Sequence, residues 1–191
     1  MKCYSVAKYN LSTIKKSMTI FYSIFIISMT AMLLLMKIYL KDEGYSSGIE
    51  ISTVIFMFIT GIAIFKESFH FSQSNNISRK TYFKGTMLAI VPIAAIASGI
   101  DIIINRIYNI FAACPTIYDM GFTNFRDLDM VGIKNTWIQS NDISTLFNTF
   151  LFQFTIYIMI CIVGLTIALI YYKSNKLMKT VVSVAPVIFK Y

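Results

Sequence analysis

FLFQFTIYIMICIVGLTIALIYY, residues 150–172, is a run of 23 residues without a single charge. A helix needs about 20 predominantly apolar residues to cross the hydrocarbon core of a bilayer, so this run predicts a transmembrane helix. Its apolar residues do not alternate with polar ones, as the strands of a membrane barrel would require. Its many β-branched residues do not oppose helix, because in lipid the backbone must satisfy its own hydrogen bonds. Working outward, three further apolar stretches approach spanning length, at residues 17–38, 49–65 and 85–104. The second is the shortest and carries Glu50 at its entry. A fifth run, 181–189, is too short to span; it reads as the start of a further span or as a segment lying on the membrane surface.

Composition agrees with this reading. Hydrophobic residues make up 57% of the 191 and charged residues 14%, against about half and about a quarter in soluble domains. These proportions exclude intrinsic disorder, a disulfide-rich secreted fold and most soluble enzymes. The first apolar run is longer than a signal-peptide core and lacks a small-x-small cleavage site, so it is expected to stay as an anchor. The expectation is an all-α, polytopic membrane helix bundle forming one transmembrane domain over 1–191, with four spans and the start of a possible fifth.

The net charge of +8 resolves into topology. Residues 1–16, the loop 66–84 and the segment 173–179 carry eleven Lys and Arg with one acid, Glu67. The opposite loops carry five Lys and Arg among eight Asp and Glu. Cations near span ends stay in the cytoplasm, so the N-terminus is expected there. Cations spread over three short segments, with no interleaved stacking platform, do not describe a nucleic-acid surface; attraction to anionic lipid accounts for them.

Catalytic patterns are absent from the sequence. It has no G-x-x-x-x-G-K-[ST], H-E-x-x-H or G-x-S-x-G, and no pair of carboxylates is expected together inside the membrane. Neither an enzymatic residue nor a cofactor or metal is implied. Cys3, Cys114 and Cys161 fall in three compartments and are not expected to pair; His70 has no co-ligand at metal spacing. Asp101 is expected as an interfacial acid reaching Arg106 or headgroup water, with a translocation-path role as the alternative. Asn148, Thr149, Gln153 and Thr155 open the fourth span, and part of this set is expected to share a stripe for helix-to-helix hydrogen bonding or for a polar pathway. In the third span, Pro92 frees a carbonyl, and Ala94/Ser98 and Ala95/Gly99 form small-x-x-x-small pairs that suit a buried packing helix. The outer loop 105–146 carries Tyr108, Tyr118 and Trp137, aromatics typical of the headgroup level, and a short interfacial helix is expected at 129–139.

Loop 66–84 is the most informative segment. Phe65 and Phe69 continue a helical face, Ser72 to Asn76 are turn formers, and Ser78 suits an N-cap, which reads as helix, tight turn, helix. Arg79 and Lys80 occupy a first helical turn, where the macrodipole disfavours cations, so a partner or lipid outside the helix should compensate. The stretch Asn75-Asn76-Ile77-Ser78-Arg79-Lys80-Thr81-Tyr82-Phe83 resembles the Asn-Gly-hydrophobic-Ser-Arg-Lys segment of small type-2 permease subunits of ATP-binding-cassette exporters from low-GC Gram-positive bacteria. Asn76 stands where that family commonly has Gly, and Asn tolerates the left-handed turn.

The resemblance implies a multi-pass protein of the bacterial cell membrane that does not itself hydrolyse ATP. It implies that a separate ATP-binding subunit docks on the loop, with Glu67, Phe69, Arg79 and Lys80 coupling its motion to the helices. A homodimer, or a heterodimer with a sister permease, would form the pathway. Six spans are usual in that family, so this chain reads as a member ending before the last spans. The alternative is a non-transporting immunity or sensor-regulator membrane protein.

Overall fold

The computed structural model describes residues 2–39, 48–123 and 139–174. The apolar run 181–189 and the helix expected at 129–139, save Gln139, lie outside the described residues. Among the described residues there are five helices and no strand: α1 Lys2–Tyr39, α2 Ile49–Ser74, α3 Arg79–Tyr108, the short α4 Ile117–Phe122, and α5 Ile143–Lys173. Four of them, α1, α2, α3 and α5, are long and apolar enough to span a membrane. The expected all-α multi-pass bundle is the fold observed.

Each long helix extends beyond its expected span. α1 begins at Lys2, not near residue 17, because Val6, Ala7, Asn10, Ile14, Met18, Tyr22 and Phe25 form one continuous buried stripe at helical spacing. At 38 residues it is about 57 Å long, nearly twice a hydrocarbon core of about 30 Å. α2 runs on past residue 65 to Ser74, where Asn76 takes the left-handed conformation at φ 53°. Asn76 N–H donates to Gln73 C=O at 3.1 Å and Ile77 N–H to Ser72 C=O at 3.0 Å. This is a Schellman ending with Asn in the place of Gly. Ser78 caps α3, its Oγ accepting from Thr81 N–H at 3.2 Å. The expected helix, tight turn and helix are all present.

The four long helices form two parallel pairs. α1 lies along α3: Val6 meets Gly85, Asn10 Nδ2 donates to Thr86 Oγ1 at 3.3 Å, and Tyr22 reaches Ala97 and Asp101. α2 and α5 make the most extensive contact in the bundle, and α3 touches all the others. Buried residues fill 44% of the best spanning window of α2 and 39% of that of α3, against 22% for α1. The innermost helix is therefore α2, with α3 close behind. On α1, Ile20, Ile24, Ile27, Leu34, Leu35 and Ile38 face outward, a surface suited to acyl chains. The outward Ser23 and Thr30 hydroxyls donate to the carbonyls of Thr19 and Ile26, both at 2.8 Å, so they need no water.

Small residues set the closest approach, at one of the two expected pairs and at glycines outside them. Ala94 and Ser98 are fully buried, whereas a Cβ added to Gly99 would meet nothing within 4 Å. Glycine meets backbone at Gly85, where a Cβ would lie 2.7 Å from Cys3 C=O of α1, and most tightly between α2 and α5. A Cβ on Gly61 would lie 2.1 Å from Cys161 C=O, and one on Gly164 would lie 2.3 Å from Phe58 C=O. Backbone cannot yield as a flexible side chain can, so Gly61→Ala or Gly164→Ala forces the helices apart. Each is expected to cost about 1–3 kcal/mol, typical of overpacking, read as a lower thermal-unfolding midpoint. Gly99→Ala is expected to leave the midpoint unchanged.

Candidate functional site

Two places in the bundle concentrate polar side chains. The first is the α2–α3 hairpin at the basic end. Its interior is aromatic: Phe65, Phe69 and Tyr82 are buried with Val6, and the rings of Phe65 and Phe69 stack at 4.7 Å. Tyr172, from the end of α5, packs edge-on to both. Tyr82 Oη lies 3.0 Å from Ser68 Oγ and donates to Ile64 C=O at 3.2 Å. Tyr9 of α1 stacks on Phe71 at 4.7 Å. The hairpin is thus held by α1, α2, α3 and α5 together, and the basic first half of α1, the loop 66–84 and Lys173 converge on one end.

On the outside of this hairpin Glu67, Arg79 and Lys80 are exposed. Phe69 is not: it is 3% exposed and belongs to the aromatic interior. Its expected place among docking residues is corrected. The same four-residue spacing from Phe65 that continues the helix also continues its buried face.

The second place lies near the opposite end, where α2, α3 and α5 converge with α1. Asp101 is 1% exposed and receives two phenol donors, Tyr22 Oη at 3.0 Å and Tyr157 Oη in a very short bond. Asp101 is therefore a buried acid, not an interfacial one. α3 continues seven residues past it to Tyr108, about 10 Å more of helix at 1.5 Å per residue. Nor does Arg106 pair with it; no guanidinium nitrogen of Arg106 has a hydrogen-bond partner among the described residues.

Glu50, 2% exposed on the first turn of α2, is buried beside Asp101. Its Oε1 accepts from Gln153 Nε2 at 3.1 Å and from Ile117 N–H, at the start of α4, at 3.3 Å. Gln153 Oε1 in turn accepts from Ser98 Oγ at 3.4 Å. Gln153, bonded to Glu50, and Tyr157, bonded to Asp101, are one turn apart on the buried stripe of α5, which puts the two acids at neighbouring levels of the bundle. The expectation that no two carboxylates share the bundle interior is thus overturned, since the acid at the entry of the second span points inward.

The polar set of the fourth span divides. Thr149 and Gln153 share the buried stripe of α5 with Tyr157 and Cys161. Asn148 and Thr155 face outward, Thr155 Oγ1 donating to Leu151 C=O at 2.8 Å. The seven-residue relation of Asn148 to Thr155 is a lipid-facing row, and the four-residue relation of Thr149 to Gln153 is the one that packs. A cap closes this end. Thr116 and Asp119 form a capping box on α4, and Gln139 Nε2 donates to Asn105 Oδ1 at 2.9 Å and to Asp119 Oδ2 at 3.2 Å. The residues sequence reasoning missed here are Tyr22, Thr53 and Tyr157, which read as ordinary span residues. Their i, i+3 or i+4 spacing with other buried residues is the signal that identifies them.

Cys3, Cys114 and Cys161 form no disulfide among the described residues, and those residues contain no group of three His, Cys, Asp or Glu fit for a metal. Fold and site define a multi-pass, all-helical membrane protein with a buried polar centre. No family model matches the chain, and neither a curated protein nor a solved structure matches it.

Removing one phenol tests the centre. Tyr157→Phe leaves a buried carboxylate short of a donor and is expected to cost about 1–3 kcal/mol, read in the unfolding midpoint. Asn148→Ala and Thr155→Val, on the outward row, are expected to stay within about 0.5 kcal/mol of the parent.

Proposed function

We propose that this chain is a non-catalytic, membrane-spanning subunit of a bacterial ATP-binding-cassette exporter, seated in the cell membrane with its N-terminus in the cytoplasm. The observation that carries this reading is the α2–α3 hairpin. Its two helices run past their apolar spans, end in a fixed turn at Asn76, and present Glu67, Arg79 and Lys80 outward on a packed aromatic base. A turn braced by all four long helices transmits a push on its tip to the bundle. Arg79 and Lys80 at a helix N-terminus favour a partner that brings acids.

In this reading a separate ATP-binding subunit docks on that tip, and Glu67, Arg79 and Lys80 couple its closure to the spans. A second copy of the chain, or a sister permease, would sit against an apolar outer face such as that of α1. Nine Lys and Arg with one acid, Glu67, at the hairpin end among the described residues support the cytoplasmic assignment of that end. A second reading, a non-transporting immunity or sensor-regulator protein, is favoured by a different observation: Asp101, Gln153 and Ser98 bond to one another's helices inside a single chain.

Co-expression separates the two. The full chain is expected to co-purify with the ATPase encoded beside it, and Arg79→Glu with Lys80→Glu to reduce recovery of that ATPase at least about tenfold, as loss of a charge-paired contact would. Undiminished co-purification with the charge-reversed chain contradicts the docking surface. Protection or signalling that persists without any ATPase supports the second reading.

A further inference from the structure

The Glu50–Asp101 centre has a feature that structural packing leaves unexplained. The two oxygens of Asp101 each accept a phenol proton, from Tyr22 and from Tyr157, which satisfies an ionised carboxylate. Glu50 differs. Its Oε1 accepts two N–H donors, while its buried Oε2 has no partner among the described residues. Thr53, one turn along the same buried face of α2, is 0% exposed, and its Oγ1 also has no hydrogen-bond partner among the described residues. A buried carboxylate oxygen with no donor is costly when charged, and a second anion within reach of Asp101 makes it costlier. The side chains around Glu50 are Gln153 of α5, which donates to it, and, one turn along from Gln153 and from its partner Ser98, Tyr157 of α5 and Asp101 of α3. None of them supplies a positive charge.

We propose that Glu50 is an exchangeable proton-binding site of the bundle, holding a proton on Oε2 while Asp101 stays ionised between its two tyrosines. A proton fits this site better than a metal ion. A hard cation takes six or more oxygen ligands, and both oxygens of Asp101 are already engaged by phenol protons. A proton needs only one oxygen and removes the charge from the carboxylate whose Oε2 lacks a donor. Loss of that proton places two anions together under the α4 cap, which Glu50 itself holds through Ile117 N–H. Protonation of Glu50 therefore keeps α2 closed against α4 and α5, and its release loosens that end. This inference is independent of the docking surface at the other end.

The test uses the full chain in phosphatidylcholine vesicles, with Glu50→Gln and Asp101→Asn. Gln preserves the acceptor at Oε1 and puts a permanent donor at the orphaned position. A group that binds its proton more tightly folded than unfolded contributes stability present at low pH and lost as pH rises through the folded-state value. The parent unfolding midpoint is expected to fall by roughly 5 °C or more between about pH 5 and about pH 9, and Glu50→Gln to abolish most of that fall. The infrared carbonyl stretch of a protonated carboxylic acid is expected in the parent and absent from Glu50→Gln. In Asp101→Asn the neighbouring anion is gone, so that band is expected to disappear at lower pH than in the parent. Persistence of the band in Glu50→Gln overturns the proposal, as does its absence from the folded parent at every pH tested. Should Glu50→Gln not fold, an unmoved band in Asp101→Asn overturns it instead.

Discussion

The rest of the bundle depends on the backbone contact between α2 and α5 at Gly61 and Gly164. With no Cβ on either residue the helices meet carbonyl against backbone, and this touch fixes their register along the whole length. Because the helices run parallel, one alignment brings Glu50 to Gln153 at one end, Gly61 to Gly164 in the middle, and Phe65 and Phe69 to Tyr172 at the other. A slide of a single turn would separate the acid from its amide and the aromatic base from its lid. In lipid there is little hydrophobic gain from bringing helices together, so close packing of this kind and interhelical hydrogen bonds have to supply the association.

The two polar places are consequences of that register in opposite chemical settings. At the basic end, helices leave the membrane, so their outward residues are charged and their inward residues aromatic. At the other end, α3 and α5 run past the first turn of α2, so Glu50 and Asp101 are enclosed although each lies near the end of an apolar run. Enclosure forces every polar group to find a partner inside the protein. The tyrosines at 22 and 157, Gln153 and Ser98 meet that demand from three different helices, except at Glu50 Oε2, Thr53 Oγ1 and the Arg106 guanidinium. The same groups that hold the bundle together also define its acidic centre.

Much of the fold was legible in the sequence. The uncharged run 150–172 indicated a span, the division of cations between loops placed three segments at one end, and Phe65, Phe69, Asn76 and Ser78 together described the hairpin. Hydropathy finds where a helix enters lipid but not where the helix itself stops, so the polar first half of α1 and the start of α5 at Ile143 were missed. Facing is harder still. Asp101 and Glu50 sit near span ends, where an acid ordinarily meets water, and only the neighbours α1, α4 and α5 turn them into interior residues. Phe69 shows the converse, since an aromatic in a basic loop reads as a contact surface until Tyr82 and Tyr172 are seen to cover it. The choice between Thr149–Gln153 and Asn148–Thr155 also required a partner helix, because both spacings lie on one face of a helix.

The orientation proposed for this four-helix bundle puts the hairpin tip in the cytoplasm and the α4 cap outside. Labelling with a membrane-impermeant maleimide tests it most directly, using Lys80→Cys at the tip and Ser140→Cys at the cap in the full chain with Cys3→Ser. The account predicts that in intact cells Ser140→Cys reacts, while Lys80→Cys reacts only after the membrane is permeabilised. Reaction of Lys80→Cys in intact cells would contradict it.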